Sequence, residues 1–335
     1  MHRKKVLKYM QVDLVINPTN RKNAGATIDL SSLLFENATT RFSHWANQVD
    51  SLRVNLIPAL NLYGGDHWVI AKSLINKYPN LNVNLWITSP GYGLINANDL
   101  ITPYHATFSP NHPESVLTDH DLSLSNANRN WWNLLQHWQP KGIHGPRSIA
   151  ELASINPKNN MLIIGSARYM QLLRDDLSAL FTIKSRHLEN LYIISSGSNV
   201  RSGPLSANLL PSDQRLRQIL GGGDTSLNIR VARLVLQLLS DGKTGFRTVE
   251  SILREILEGI PNVPPVLRRK VTDIEISTFI SNLLSEDRKV SKTYCLQQIR
   301  AQGIACQEKR FKRIFLEVTT SHADIHTQEI GNVAH

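Results

Sequence analysis

The chain has 335 residues, 41% of them hydrophobic and 19% charged, and a formal net charge of +10. Those values exclude a disordered chain and suit a globular protein of two ordinary domains. No stretch approaches the ~20 apolar residues of a membrane helix, and Cys295 and Cys306 alone form neither a disulfide framework nor a zinc set.

Residues 1–22 hold six Lys/Arg against one acid. The charged start, Met1-His2-Arg3-Lys4-Lys5, runs into Val6-Leu7-Lys8-Tyr9 and not into a long apolar block, so no cleaved leader is expected and the compartment is read as cytoplasmic. Val12 to Ile16 reads as the first strand and Leu52 to Leu60, by its alternation, as the second. After Gly64 and Gly65, His67 to Tyr78 has helical spacing. Val83 to Thr88 reads as a buried strand followed by Ser89-Pro90-Gly91-Tyr92-Gly93. Residues 96–128, rich in Asn, Ser, His and Pro, read as a polar surface insertion. A helix is expected near Asn128 to Trp138 and a short one at Ile149 to Leu152. Met161 to Ile164 is a strand ending in Gly165-Ser166, 168–181 a helix, and Leu191 to Ile194 a strand ending in Ser195-Ser196-Gly197. Leu227 to Leu239 is an amphipathic helix.

The repeated order of strand, small-residue turn and helix predicts an α/β fold, a mostly parallel sheet flanked by helices. Ligands of such sheets bind beyond the carboxyl ends of the strands. The four turns at Gly64/Gly65, Ser89/Gly91, Gly165/Ser166 and Ser195/Ser196/Gly197 therefore predict one pocket, although ordinary β-to-α turns also want glycine.

The middle of the chain, 23–242, is almost neutral, with 17 Lys/Arg against 15 acids, whereas 243–318 holds 14 against nine. Phe246 to Leu257 reads as a helix, and Pro261, Pro264 and Pro265 as a linker. Three helices follow: about 272–285, one from an N-cap at Ser291 to a C-cap at Gly303, and about 306–318. On the last, Phe311, Ile314, Phe315 and Val318 make one apolar face, leaving Lys309, Arg310, Lys312 and Arg313 on the surface. This predicts a small all-α or winged-helix module gripping DNA phosphates, helped by Lys289, Lys292 and Arg300. The division is expected at 242/243, with a disordered tail over 319–335.

Pro58-Ala59-Leu60-Asn61-Leu62-Tyr63-Gly64-Gly65 before a helix, and Trp86 through Ile95 continuing to Ile101-Thr102-Pro103-Tyr104, resemble signatures of the YaaA superfamily. Met161 to Ile164 with Gly165, Ser166 and Tyr169 is similar to that family's third element. Pro90-Gly91 stands where the family commonly has a small residue and a lysine. The resemblance covers about residues 50–240. It implies DNA as partner and, through related domains, a link to enzymes that install or remodel deazaguanine bases, with other proteins of a modification gene cluster as further partners.

A site hydrating the nitrile of a cyano-deazaguanine in DNA needs an activated water and donors for the developing nitrogen anion. Asp66 is then expected to orient water. Tyr63, Tyr92 and Tyr104 would donate, Ser89, Ser166 and Ser196 would bind the base, and Gly64, Gly65, Gly91, Gly93, Gly165 and Tyr169 would line the pocket. A non-catalytic DNA-binding protein or a protein-binding scaffold are the competing expectations. No Walker loop, dinucleotide fingerprint or paired-histidine zinc motif is present, and Gly221-Gly222-Gly223-Asp224 reads as a plain loop. His105, His112, His137 and His144 lack metal-ligand spacing, so neither metal nor cofactor is expected. Trp131, Trp132 and Trp138 read as core, with base stacking the alternative.

Overall fold

The computed structural model describes residues 9–33, 37–110, 112–118, 123–183, 188–195, 204–262, 269–287, 290–308 and 310–320. They form two compact units that divide between Pro261 and Asn262.

In the first unit Val12, Leu14, Val15 and Ile16 are each at most 1% exposed. A strand covered on both faces must be apolar almost throughout, and this one, β1 (Met10–Ile16), is the centre of the sheet. Its neighbours are β2 (Leu81–Ser89), β3 (Gly93–Asn96), β4 (Asn160–Ile164) and β5 (Leu191–Ile194), in the spatial order β3-β2-β1-β4-β5. β1 pairs parallel with β2 and β4, and β4 with β5; β3 folds back antiparallel on β2. The buried Asp13 of β1 accepts from Asn159 Nδ2 at 2.9 Å and Trp86 Nε1 at 3.3 Å. The fold is thus the α/β class expected. The carboxyl ends Ile16, Ser89, Ile164 and Ile194 share one edge. The chain adds β2 on one side of β1 and then β4 and β5 on the other, which makes the β1/β4 boundary the topological switch point.

Helices cover the sheet: α1 (Ala38–Ser51), α2 (Asp66–Leu74), α3 (Leu124–Gln136), α4 (Ile149–Ile155), α5 (Ala167–Leu172), α6 (Leu227–Ser240) and α7 (Phe246–Glu258). On α7, Phe246, Val249, Leu253 and Leu257 are buried in the same core as the sheet. A helix with that apolar stripe must bury it, so the division falls after α7 and not at Gly242.

Three further expectations are corrected. Only Ile57–Pro58 of the stretch 52–60 is extended, paired with Leu100–Ile101. Leu52 and Val54 face solvent at 42% and 47% exposure, and Asn55 takes a left-handed φ of 52°, so the alternation there marks no strand. The polar stretch 96–128 is no surface excursion over 96–110 and 112–118: Ile101, Tyr104, Phe108 and Val116 are core residues. Its polar side chains close turns, as where Asp99 Oδ2 accepts from Asn96 N at 2.8 Å and Thr107 Oγ1 from Ser109 N at 3.1 Å. The helix expected over 168–181 is broken at Leu173 into α5 and Arg174–Ala179.

The second unit holds α8 (Asp273–Glu286), α9 (Lys292–Ala301) and a helix over 310–320, here α10, with Arg269–Lys270 pairing parallel to Ile304–Ala305. Thr272 and Glu275 form a capping box on α8, Ser291 caps α9, and Gly303 (φ 70°) ends it as expected. Ile276, Ile280, Cys295, Ile299, Phe311 and Ile314 make its core, and both cysteines are buried free thiols. No helix among the described residues is long and apolar enough to cross a membrane.

Candidate functional site

Two of the turns singled out in the sequence, Gly64/Gly65 and Gly165, meet the segment leaving β1. Gly64 N donates to Arg21 O at 2.9 Å, Thr19 Oγ1 to Gly64 O at 2.8 Å, and Asn23 Nδ2 to Tyr63 O at 2.8 Å. Gly165 N donates to Ile194 O at 3.2 Å, and Gly165 packs beside Asn17 and Tyr169. Gly65 takes φ 90° at the entry to α2, a conformation that favours glycine.

At the heart of this edge three of the expected catalytic residues meet. Tyr104 Oη lies 2.6 Å from Tyr63 Oη and 2.6 Å from Ser89 Oγ, and all three residues are at most 1% exposed. Ser89 Oγ also accepts from Tyr92 N at 3.1 Å and Gly91 N at 3.3 Å. Those two amides engage its lone pairs. In both hydroxyl pairs either atom can donate, and Tyr63 also hydrogen-bonds Ser89, so the three hydroxyls form one connected set. Burial raises the pKa of Tyr63, Tyr104 and Tyr169, which keeps these phenols protonated donors.

The turn holding Ser89 is anchored by two buried indoles: Trp45 Nε1 donates to Gly91 O at 2.8 Å and Trp131 Nε1 to Pro90 O at 2.9 Å. Trp131 and Trp132, at most 1% exposed, are therefore core and not stacking platforms. A Cβ on Gly91 would lie 2.5 Å from the Tyr104 ring. Gly91→Ala should accordingly cost about 2 kcal/mol by overpacking, read as a lower denaturant midpoint; an unchanged midpoint would contradict that contact.

His67, next to Asp66 in the first turn of α2, was not singled out by sequence. Its ring bonds the Asn17 backbone, while Nε2 is buried without a partner. A neutral imidazole has one acceptor nitrogen, and Nε2 is the nitrogen left without a partner. Burial lowers its pKa to about 4, so the ring is neutral near pH 7. Asn228, on α6, donates to Gly165 O at 3.0 Å and leaves its own buried Oδ1 unpartnered. Both orphan acceptors belong to residues bonded at the β1/β4 carboxyl ends.

Several expected site residues are occupied otherwise. Asp66 is exposed; hydrogen bonds from Ser226 and from Arg230, the latter at 2.8 Å, hold its carboxyl below the usual range, so it ties α2 to α6. Tyr92 Oη is taken by the Thr102 backbone, accepting from its N at 3.0 Å and donating to its O at 3.2 Å. Ser166 caps α5, and Gly93 (φ 75°) makes room for Arg147. The Tyr169 ring meets Phe108 edge-on at 5.8 Å. Ser196 lies outside the described residues.

A second cluster flanks Tyr104. His105 Nδ1 lies 3.2 Å from both Asp29 Oδ2 and Glu114 Oε1, three groups that could hold a cation. Lys22 Nζ lies 3.9 Å from Glu114 Oε2 and 5.1 Å from the Tyr104 ring centroid. Burial lowers the Lys22 pKa while Glu114 and Asp29 raise it. This ammonium already supplies positive charge to the carboxylates. No spacing signals the set, because its members come from two distant segments, 22–29 and 105–114.

In the second unit Arg310 Nε donates to Asp273 Oδ1 at 2.7 Å, and Arg313 bonds Asp273 and, at 2.9 Å, Glu317. These arginines fasten α10 to the start of α8. Lys292 and Lys312 are exposed and carry no ion pair among the described residues. Arg300 is half-buried, with Nε unpartnered. Lys289 and Lys309 lie outside the described residues. The chain matches no family model, no curated protein and no solved structure.

Proposed function

We propose that the chain acts on DNA and modifies a base, hydrating the nitrile of a 7-cyano-7-deazaguanine to the carboxamide. The observation that carries this reading is the buried Ser89–Tyr104–Tyr63 hydroxyl chain, with a neutral His67 whose Nε2 is buried without a partner in the helix that follows Tyr63. Hydration of a nitrile needs a base that takes a proton from water as its oxygen bonds the nitrile carbon, and a donor for the nitrogen that gains negative charge. His67 Nε2 supplies the first chemistry. The Tyr63 hydroxyl, joined to two others in that set, supplies the second. Asp66, engaged by Arg230, has no part.

The test is incubation of the full chain with DNA containing the cyano base, followed by nucleoside mass spectrometry. A gain of one water is expected, with Tyr63→Phe slowing turnover about 100-fold, the cost of losing one oxyanion donor. An unchanged nucleoside profile would end the enzymatic reading and leave non-catalytic DNA binding as its successor.

DNA binding itself should fall with salt. Because Arg310 and Arg313 are spent on Asp273 and Glu317, Lys292 and Lys312 are the phosphate contacts expected to count. Lys292→Gln/Lys312→Gln should flatten the slope of log K against log salt by roughly 2, measured by titrating a duplex at several ionic strengths. An unaltered slope would remove α9 and α10 from the interface.

A further inference from the structure

The Asp29, His105 and Glu114 side chains, which the proposed reaction does not use, meet because backbone pairing brings them together. Ile28–Asp29 runs parallel to Tyr104–His105, with Asp29 opposite His105 in the register. Thr107 N donates to Glu114 O at 2.9 Å, and Val116 N to Thr107 O at 2.9 Å, which fixes Glu114 beside that pair. Three ligating side chains are thus positioned by the fold itself, so little ordering opposes the capture of an ion.

The ligating atoms are also aimed. Asp29 Oδ1 accepts from Ser31 N at 2.8 Å and from Ser31 Oγ at 2.6 Å, which leaves Oδ2 turned to His105. Outer bonds of this kind orient a ligating carboxylate. His105 Nδ1 lies 3.2 Å from Asp29 Oδ2 and 3.2 Å from Glu114 Oε1, and the three atoms lie within 4.8 Å of one another. Direct charge-assisted N–H contacts to carboxylates are shorter, about 2.7–2.9 Å. Atoms held about 2.0–2.2 Å from one shared ion are instead about 3.0–3.4 Å apart. All three side chains are only partly buried, so an ion can reach them from solvent.

Charge and donor type say which ion. A metal takes the imidazole neutral. Two carboxylates against the Lys22 ammonium, 3.9 Å from Glu114 Oε2, then leave one net negative charge among these four side chains. His112 Nδ1 is spent accepting from Glu114 N at 3.3 Å. One imidazole nitrogen with two carboxylate oxygens suits zinc, whereas magnesium and calcium favour all-oxygen sets.

We propose that Asp29 Oδ2, His105 Nδ1 and Glu114 Oε1 bind one zinc-type divalent cation, water completing its shell, as a structural clip on the segment that carries Tyr104. The site stands independently of the reaction proposed above.

The full chain, stripped with a chelator, is titrated calorimetrically with zinc, magnesium and calcium chlorides. One equivalent of zinc should bind and raise the melting temperature, with magnesium and calcium at least about 100-fold weaker. Asp29→Asn keeps an oxygen for Ser31, and His105→Gln removes the imidazole. Each should weaken zinc binding by at least about 100-fold, the upper end of what losing an outer-shell partner costs. Without metal each should melt within about 4 °C of wild type, since only exposed ion pairs are lost. Lys22→Met probes the site without removing a ligand and should tighten zinc binding about 10-fold by deleting an opposing charge. Four results overturn the proposal: no stoichiometric zinc binding, unchanged affinity in Asp29→Asn and His105→Gln, no gain in Lys22→Met, or magnesium or calcium binding as tightly as zinc.

Discussion

Arg147→Met should destabilise the first unit by ~4 kcal/mol, because it strips donors from several buried carbonyls at once and each such loss costs about 1–3 kcal/mol before relaxation. Arg147 is 7% exposed. Nε donates to Trp138 O at 3.0 Å, Nη1 to Leu94 O at 2.8 Å, and Nη2 to Leu135 O at 3.3 Å and to Tyr92 O. One guanidinium thus joins β3, the end of α3 and the turn that holds Ser89. Burial pushes its pKa down to about 10 while Asp99 and Glu151 pull it up, so it remains charged at neutral pH. Lysine carries three donors on one atom and cannot span these carbonyls; Arg147→Lys should recover only part of the loss. Denaturant midpoints of wild type and both variants decide the matter. If methionine costs under about 1 kcal/mol, water or relaxation satisfies the carbonyls and the bracing role is wrong.

Local patterns carried the sheet and missed what distant segments do to one another. Val12 to Ile16, Met161 to Ile164 and Leu191 to Ile194 are legible because strands buried on both faces have no polar choice. Ser291 and Gly303 are legible because caps act within a few residues. The Tyr63–Tyr104–Ser89 chain was reached residue by residue through turn position and resemblance, but its connectivity is a tertiary fact. His67 stayed hidden because a lone histidine on a helix is ordinary until the ring is seen buried against Asn17. The polar stretch 96–128 misled for the opposite reason: Asn, Ser and Asp there serve turns while Ile101, Tyr104, Phe108 and Val116 enter the core. The apolar face of α10 was legible, with Phe311 and Ile314 buried, yet spacing within one helix says nothing about Asp273, 37 residues from Arg310, which claims its charge.

The acid limb of stability should be dominated between about pH 6.5 and 4 by His67. Its unfolded-state value is the ordinary 6.5, and burial lowers the folded value to about 4, with the Asn17 backbone bond and Asp66 opposing. The unfolded chain therefore binds the proton first. Stability is complete above 6.5, declines as pH falls through the interval, and stops declining below about 4. At 1.36 kcal/mol per pKa unit the loss is ~3 kcal/mol. Asp99 and Asp176 act with the opposite sign, since burial raises their folded pKa values and they gain stability on protonation. The comparison must therefore be with His67→Gln, which leaves both carboxylates in place and keeps an amide able to bond Asn17. Denaturant unfolding at pH 7, 5.5 and 4 should show the variant's stability falling by ~3 kcal/mol less than that of wild type. Parallel pH profiles for the two proteins would mean that burial does not hold the imidazole neutral in the folded chain, and the base assigned to His67 Nε2 would lose that support.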